Sequence, residues 1–300
     1  MAADLVMLLV VLGIAAVLNF LDASLGMGYG TTLTIILFLL DYNPDQIVLP
    51  ILISGVIAGL TSSLFHIIFK NMEMKNEKSL RLVNISFEDQ ESVDLGEEIK
   101  ISIESKKMSK DSKVVLVFTF CGIIAAIGGA YLSSLLYTNP LSNVIVKIYI
   151  GILVLVLGLL MILLKNKTMA FSFKKIIFIG CSAGFNKSIS GGGFGPVAIT
   201  GQMLIGREGR KSIASTALSE TIISVAGIVT FLITDLISGG GVIDYSLIPS
   251  LTIGACITAP FASFTTTKID KEKFKTYISL GLIALSAVIL FKIFFIDMQW

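Results

Sequence analysis

Ser190-Gly191-Gly192-Gly193-Phe194-Gly195-Pro196 interrupts a long apolar stretch, and a looser copy, Leu25-Gly26-Met27-Gly28-Tyr29-Gly30-Thr31, stands 165 residues earlier. Glycine gains no side-chain packing and loses the most backbone entropy on ordering, so such a run stops an α-helix. The chain therefore carries two apolar helices, each broken near its centre. What a break means depends on the solvent. In water it is a turn. In lipid it exposes backbone N–H and C=O groups that only protein, ligand or trapped water can satisfy, which makes it a candidate binding site.

Composition decides the solvent. Of 300 residues, 54% are hydrophobic and 15% charged, with a mean hydropathy of +0.89. A soluble domain is about a quarter charged. A chain this apolar cannot cover itself with polar surface, so its partner is the lipid bilayer. The net charge of +2 gives no basis for binding nucleic acid. Cys121, Cys181 and Cys256 fall in separate apolar segments and read as small buried residues. There is one histidine, His66, and no HExxH spacing or nucleophile–base pairing. No metal, cofactor or enzymatic activity is expected. The first apolar run is too long for a cleavable signal and continues into the glycine break.

The apolar runs cover 5–40 (broken at 22–30), 46–69, 114–136, 141–164, 174–205 (broken at 187–196), 212–234, 246–267 and 274–296. A span needs roughly 20 apolar residues, so six runs fit single crossings. The broken ones are either kinked crossings or hairpins that enter and leave on one face. Lysine and arginine decide between these, because they concentrate in cytoplasmic loops. Loops 165–175, 206–211 and 268–275 and segment 70–113 are basic, whereas 41–45, 138–143 and 235–245 carry no Lys or Arg. Full crossings would put 165–175 and 206–211 on opposite sides. Hairpins put every basic loop in the cytoplasm and both termini outside. Lys147 and Lys292, near outer helix ends, snorkel. The first arm, 5–22, is long for a hairpin and nearly crosses.

An internal repeat is visible. Phe20, Gly26, Gly28, Gly30 and Ser54 recur as Phe185, Gly191, Gly193, Gly195 and Ser219 at an offset of 165. Ser133, Gly151 and Leu155 recur as Ser263, Gly281 and Leu285 at an offset of 130. The fall of 35 places an insertion in the first half, where the charged segment 70–113 lies. The expected fold is an all-α polytopic membrane protein of two inverted repeats, each a re-entrant broken-helix hairpin plus three transmembrane helices. Residues 1–69 with 114–164 form the first repeat and 165–300 the second. Segment 70–113 is a cytoplasmic insert. Ile85 and Phe87, and Ile99, Ile101 and Ile103, alternate with polar residues, which suggests a small β-hairpin beside the simpler reading of a solvated loop.

The candidate site lies at the breaks. A half-helix starting at Gly28, Tyr29, Gly30 and Thr31, and another at Gly193, Phe194 and Gly195, would each present unpaired N–H donors and a partial positive charge. Two such ends near the midplane suit a small oxyanion, with Ser190, Gly191 and Gly192 completing the second tip. Asp22 and Lys187 precede the breaks at equivalent positions, and Glu220 lies deep in its own span. Charges at that depth are costly and are usually paired. Either Asp22–Lys187 or Lys187–Glu220 is expected to pin the hairpins. Lys187 attracts the anion, and Glu220 pairs with it or carries a proton. Asn19, Asn186, Ser54 and Ser219 are polar support. Tyr29 and Phe194 occupy equivalent tip positions, suited to gating or to core packing.

At these residues the sequence resembles the sulfite exporter TauE/SafE family of membrane transporters. The resemblance rests on the two breaks, Leu25–Thr31 and Ser190–Pro196, and on the duplicated plan, so it covers nearly all of the chain except 70–113. The first break departs from the usual glycine-rich form at Met27 and Tyr29. The resemblance implies a transporter in the bacterial inner membrane that moves sulfite or organosulfonates, mostly outward. An anion channel with the same site is the alternative, and a homodimer is left open.

Overall fold

The computed structural model describes residues 2–26, 28–71, 77–83, 101–107, 109–136, 140–163, 169–237, 245–268 and 271–297. Helix α1 is Ala2–Leu25, α2 Tyr29–Leu39, α3 Pro44–Ile68, α4 Lys110–Leu136 and α5 Pro140–Leu163. After them come α6 Phe173–Ser190, α7 Phe194–Leu204, α8 Gly209–Ile237, α9 Ile248–Thr265 and α10 Lys271–Lys292. A π-helical turn, Ile293–Asp297, ends the described chain. Among the described residues, six helices are long and apolar enough to cross a membrane: Val6–Leu25, Pro44–Ile68, Lys110–Leu136, Asn143–Leu163, Gly209–Ile237 and Ile248–Thr265. The protein is thus a helical, polytopic membrane protein. Leu116, Phe120, Ile124, Phe178, Phe261 and Phe291 are more than half exposed, a composition that lipid accepts and water does not.

The helices interleave across the chain. α1 packs along α9 and α6 along α4; α3 lies against α8 and α9, α8 also against α4, and α5 against α10. Small residues let the first two pairs approach closely. A Cβ on Gly184 of α6 would lie 2.3 Å from the carbonyl oxygen of Gly122 on α4, and one on Gly254 of α9 would lie 2.4 Å from that of Leu12 on α1. Close backbone packing of this kind substitutes for the hydrophobic drive that helices lack in lipid.

The 165-residue offset reappears in the backbone. Gly26 and Gly191 have φ of 79° and 71°, Gly28 and Gly193 have 84° and 77°, and Asp41 and Gly206 have 68° and 79°. The Gly26 N–H donates to Asp22 O as that of Gly191 donates to Lys187 O. The Asp41 N–H donates to Phe38 O as that of Gly206 donates to Met203 O. Both half-helices, α2 and α7, have 11 residues.

The second broken segment is a hairpin: the Met169 N–H, before α6, donates to Leu204 O at the end of α7. Its open end belongs to the basic end of the molecule. There Arg207 Nη2 donates to Asp111 Oδ1 at 2.9 Å, Lys110 Nζ lies 4.0 Å over the Phe171 ring, and Arg210 Nη2 donates to Thr267 O. Three stretches counted as cytoplasmic in the sequence, and the end of the apolar run that leads into a fourth, therefore meet at one end. At the other end Lys292 bonds Asp41, and Lys147 Nζ donates to Asn43 Oδ1. α1 finishes toward the basic end, where the Thr266 hydroxyl, bifurcated at 2.9 and 3.1 Å, faces the Ala23 and Ser24 carbonyls.

Two further features bear on the expected fold. The 24 residues of α1 reach about 36 Å at ~1.5 Å per residue. That exceeds a ~30 Å hydrocarbon core, so the first arm, expected nearly to cross, is of full spanning length. In the insert, Glu77–Val83 pairs antiparallel with Ile101–Lys107, with Arg81 opposite Ile103. The hairpin uses Ile101 and Ile103, whereas Ile85, Phe87 and Ile99 lie outside the described residues.

Candidate functional site

The two breaks touch. The Gly193 N–H donates to Thr31 Oγ1 at 2.7 Å, and the Thr34 hydroxyl lies 3.2 Å from Ser190 O. A Cβ on Gly30 would lie 2.3 Å from Gly191 O, one on Gly192 2.8 Å from Thr31 Cα, and one on Gly195 2.6 Å from Gly28 Cα. Glycine is needed at these positions because another backbone occupies the space of a side chain. The tips also pass one another: Gly191 reaches Ile51 in the first half of α3, and Gly26 reaches Ile213 early in α8.

Three N–H donors at the breaks are already used. The Gly28 N–H donates to Asp22 Oδ1 at 2.6 Å. The Gly193 N–H is taken by Thr31, and that of Gly192 by Ser190 Oγ at 3.2 Å. The sequence expectation of open anion cradles differs from this arrangement. A buried N–H left without an acceptor in lipid costs several kcal/mol, on the order of a lost hydrogen bond or more. The chain supplies acceptors from its own side chains.

A buried ion pair, Lys187–Glu220, lies at the crossing, with Nζ 2.6 Å from Oε1. Lys187 is 0% exposed and Glu220 9%. Lys187 comes off the last turn of α6, passes beneath Gly30 and Gly55, and meets α8. Asp22 has no such partner; it caps α2. Of the two pairings open from the sequence, the structure contains the second.

The supporting residues separate into two groups. Asn19 Nδ2 donates to Ala255 O at 2.7 Å, and Tyr29 Oη lies 3.2 Å from Ser54 Oγ and 3.4 Å from Leu251 O. Tyr149 donates to Asn186 Oδ1 on the opposite flank. Phe194 packs edge-on against Phe118 at 5.8 Å between centroids. The hydroxyl of Ser219, buried at the position equivalent to Ser54, has no hydrogen-bond partner, nor do those of Ser188 and Ser224. The repeat accounts for Ser219, since Phe194 stands where Tyr29 stands and lacks the phenol oxygen.

Beside the crossing lies a cavity of about 30 Å³, room for a water or two. Asn19, Asp22, Tyr29, Ser62, Thr216 and Glu220 line it. Sequence reasoning missed Ser62 and Thr216. The signal was present for α3, where Gly55, Ala58, Gly59 and Ser62 recur at helical spacing as one face of small residues.

The sequence profile described as sulfite exporter TauE/SafE matches residues 103–289, well over half of the chain. The chain is also 26% identical over 265 residues to the probable membrane transporter protein YtnM of Bacillus subtilis (strain 168). That alignment covers 84% of this chain and 72% of the relative. With its membrane-spanning helices and matching profile, the chain belongs to the sulfite exporter TauE/SafE family of membrane transporters.

Proposed function

We propose that the protein is a secondary carrier in the bacterial inner membrane that exports small sulfur oxyanions, sulfite or organosulfonates, by alternating access between two inverted repeats. The observation that carries this reading is the contact of two glycine breaks directly above a buried Lys187–Glu220 pair. Inversion is supported by the shared backbone geometry of the breaks and by hairpins that open toward opposite ends.

In this arrangement the N–H groups of Gly28, Gly192 and Gly193 have internal acceptors, which fits a closed state. When the hairpins separate, the Gly193 N–H leaves Thr31 Oγ1 and both donors turn to the anion. Lys187 supplies the positive charge, and the unpartnered hydroxyls of Ser188, Ser219 and Ser224 are further donors. Glu220 balances Lys187 while the site is empty. An anion that draws Lys187 away leaves Glu220 to be neutralised, which links anion binding to a cation or a proton. Basic loops gathered on one side support a cytoplasmic location for those loops and an outside location for both termini.

The test is flux of labelled sulfite and of an organosulfonate from proteoliposomes. Saturable flux that is lost in Lys187→Ala is expected. Absence of flux for every sulfur oxyanion removes the substrate assignment, and non-saturating single-channel current removes alternating access.

A further inference from the structure

Charge counting around the crossing leaves a remainder. Asp22 from α1, Glu220 from α8 and Lys187 from α6 sum to one negative charge. Tyr29 from α2 is neutral. His66, one turn beyond Ser62 on α3, is bonded at Nδ1 by Asn71. α9 presents no charged side chain to the cavity. A lone negative charge among packed helices is expensive unless something neutralises it.

The lining shows what would do so. The Asn19 amide nitrogen faces Ala255 O and Thr258 Oγ1, which turns its oxygen, accepting from no group, the other way. Asn19 is 2% exposed. Ser62 is 3% exposed, lines the same cavity, and its hydroxyl meets no protein partner. Thr216 Oγ1 accepts from Gln202 Nε2 at 3.0 Å and leaves its own proton and second lone pair uncommitted. Glu220 gives one oxygen to Lys187. The cavity therefore gathers carboxylate, amide and hydroxyl oxygens, and no charged nitrogen lines it. Oxygen donors of this kind suit a hard cation and repel an anion.

We propose that this cavity binds one monovalent cation, sodium or a proton, against Asp22, with Asn19, Ser62, Thr216 and Glu220 as further oxygen contacts. The sulfur oxyanion is then bound elsewhere, on the Lys187 side of the crossing. That the bound cation drives transport rests on the carrier reading above; that it binds does not. Because Glu220 touches both the cavity and Lys187, filling the cavity and freeing Lys187 become linked events.

The experiment uses the purified full-length chain with no anion substrate present. Thermal stability and equilibrium binding of ²²Na⁺ are measured in sodium, potassium and choline chloride at constant ionic strength. Infrared titration follows protonated carboxyl groups. Saturable sodium binding supports the site with sodium as occupant. A carboxyl band that titrates without any sodium effect, and disappears in Asp22→Asn, supports it with the proton as occupant. Asp22→Asn keeps an oxygen to cap the Gly28 N–H, so the fold is retained. Ser62→Ala removes only an unpartnered hydroxyl. It is expected to weaken sodium binding about tenfold, as loss of a supporting ligand does, or to shift the carboxyl band, with stability in choline unchanged. Neither sodium binding nor an Asp22-dependent carboxyl band overturns the proposal, and so does wild-type behaviour of Ser62→Ala.

Discussion

One turn before the first pair of glycines stands Asp22, which bends forward to cap α2. One turn before the second stands Lys187, which turns away beneath the crossing to Glu220 on another helix. The glycines at the two breaks share positive φ values. The same contrast runs outward. Tyr29 and Ser54 face each other, whereas Phe194 packs on Phe118 and leaves Ser219 alone. Gly55 stands at the position equivalent to Glu220. The two breaks thus share positive φ at equivalent glycines while the side chains before them carry opposite charges. Backbone angles set by glycine tolerate no exchange, whereas a buried side chain can change if its partner changes too. The site is one asymmetric arrangement built on two similar frames.

The comparison can be broken most forcefully at the shared frame. Gly30→Ala places a methyl group 2.3 Å from Gly191 O. Neither backbone can move without parting the tips, so flux is expected to vanish and folded protein to fall steeply. Gly13→Ala, with nothing within 4 Å, leaves both unchanged. Detergent-solubilised yield and proteoliposome flux measure the contrast.

The asymmetric part is next. Glu220→Gln removes the carboxylate that buried Lys187 contacts, expected to cost about 3–5 kcal/mol. The double substitution Lys187→Met with Glu220→Gln is expected to cost less than the sum of the two singles. Unfolding in mixed micelles gives both numbers, and strict additivity would dissolve the pair as an energetic unit.

Tyr29→Phe makes the first half resemble the second and leaves Ser54 only its bond to Ile51 O, at about 1 kcal/mol. Ser219→Ala removes a hydroxyl that bonds nothing and should be neutral or slightly stabilising. Equal losses in the two would mean that the halves are not different in this respect.

The smallest effect is at the exposed cap. Lys292 donates a hydrogen bond to Asp41 and places its charge beside it, holding that carboxyl below its ordinary 3.8. A depressed folded pKa stabilises above the unfolded pKa, and that stabilisation is lost as pH falls through the folded one. The difference in Tm between wild type and Asp41→Asn should therefore stay constant from about pH 5 to 8 and shrink only in stronger acid. Asp41→Gly, which copies Gly206 at a φ of 68°, should be nearly neutral, because relief of the left-handed strain offsets the lost pair.

Much of this was legible from residue types alone. Glycine spacing located both breaks to within a residue or so, since helix propensity is local. Lysine counts grouped loops 165–175, 206–211 and 268–275, and Met169, Arg207, Arg210 and Thr267 now meet at one end. The length of α1 was underread, because an apolar run does not reveal where along it a helix meets the membrane. The partner of Lys187 stayed open between Asp22 and Glu220 because the choice depends on side-chain direction across three helices. The capping of the Gly193 N–H was not legible, since Thr31 reaches it only after folding. The small face of α3 was readable in principle from Gly55 to Ser62, but a stripe of small residues is as compatible with helix packing as with a cavity.

The bond from Asn19 to Ala255 joins residues 236 positions apart. A ribosome adding ~5–20 residues per second needs roughly 12–50 s to cover that distance. For all that time the first hairpin, with Asp22 and Asn19 on it, must wait in or beside the membrane without α9. The same holds in reverse for α4, which is made well before the α6 it will pack against. Neither half can be finished early and stored. Biogenesis of this chain therefore depends on something that shelters a polar, partly built hairpin until synthesis ends, and truncation anywhere before α9 should yield a chain that is degraded rather than half-functional.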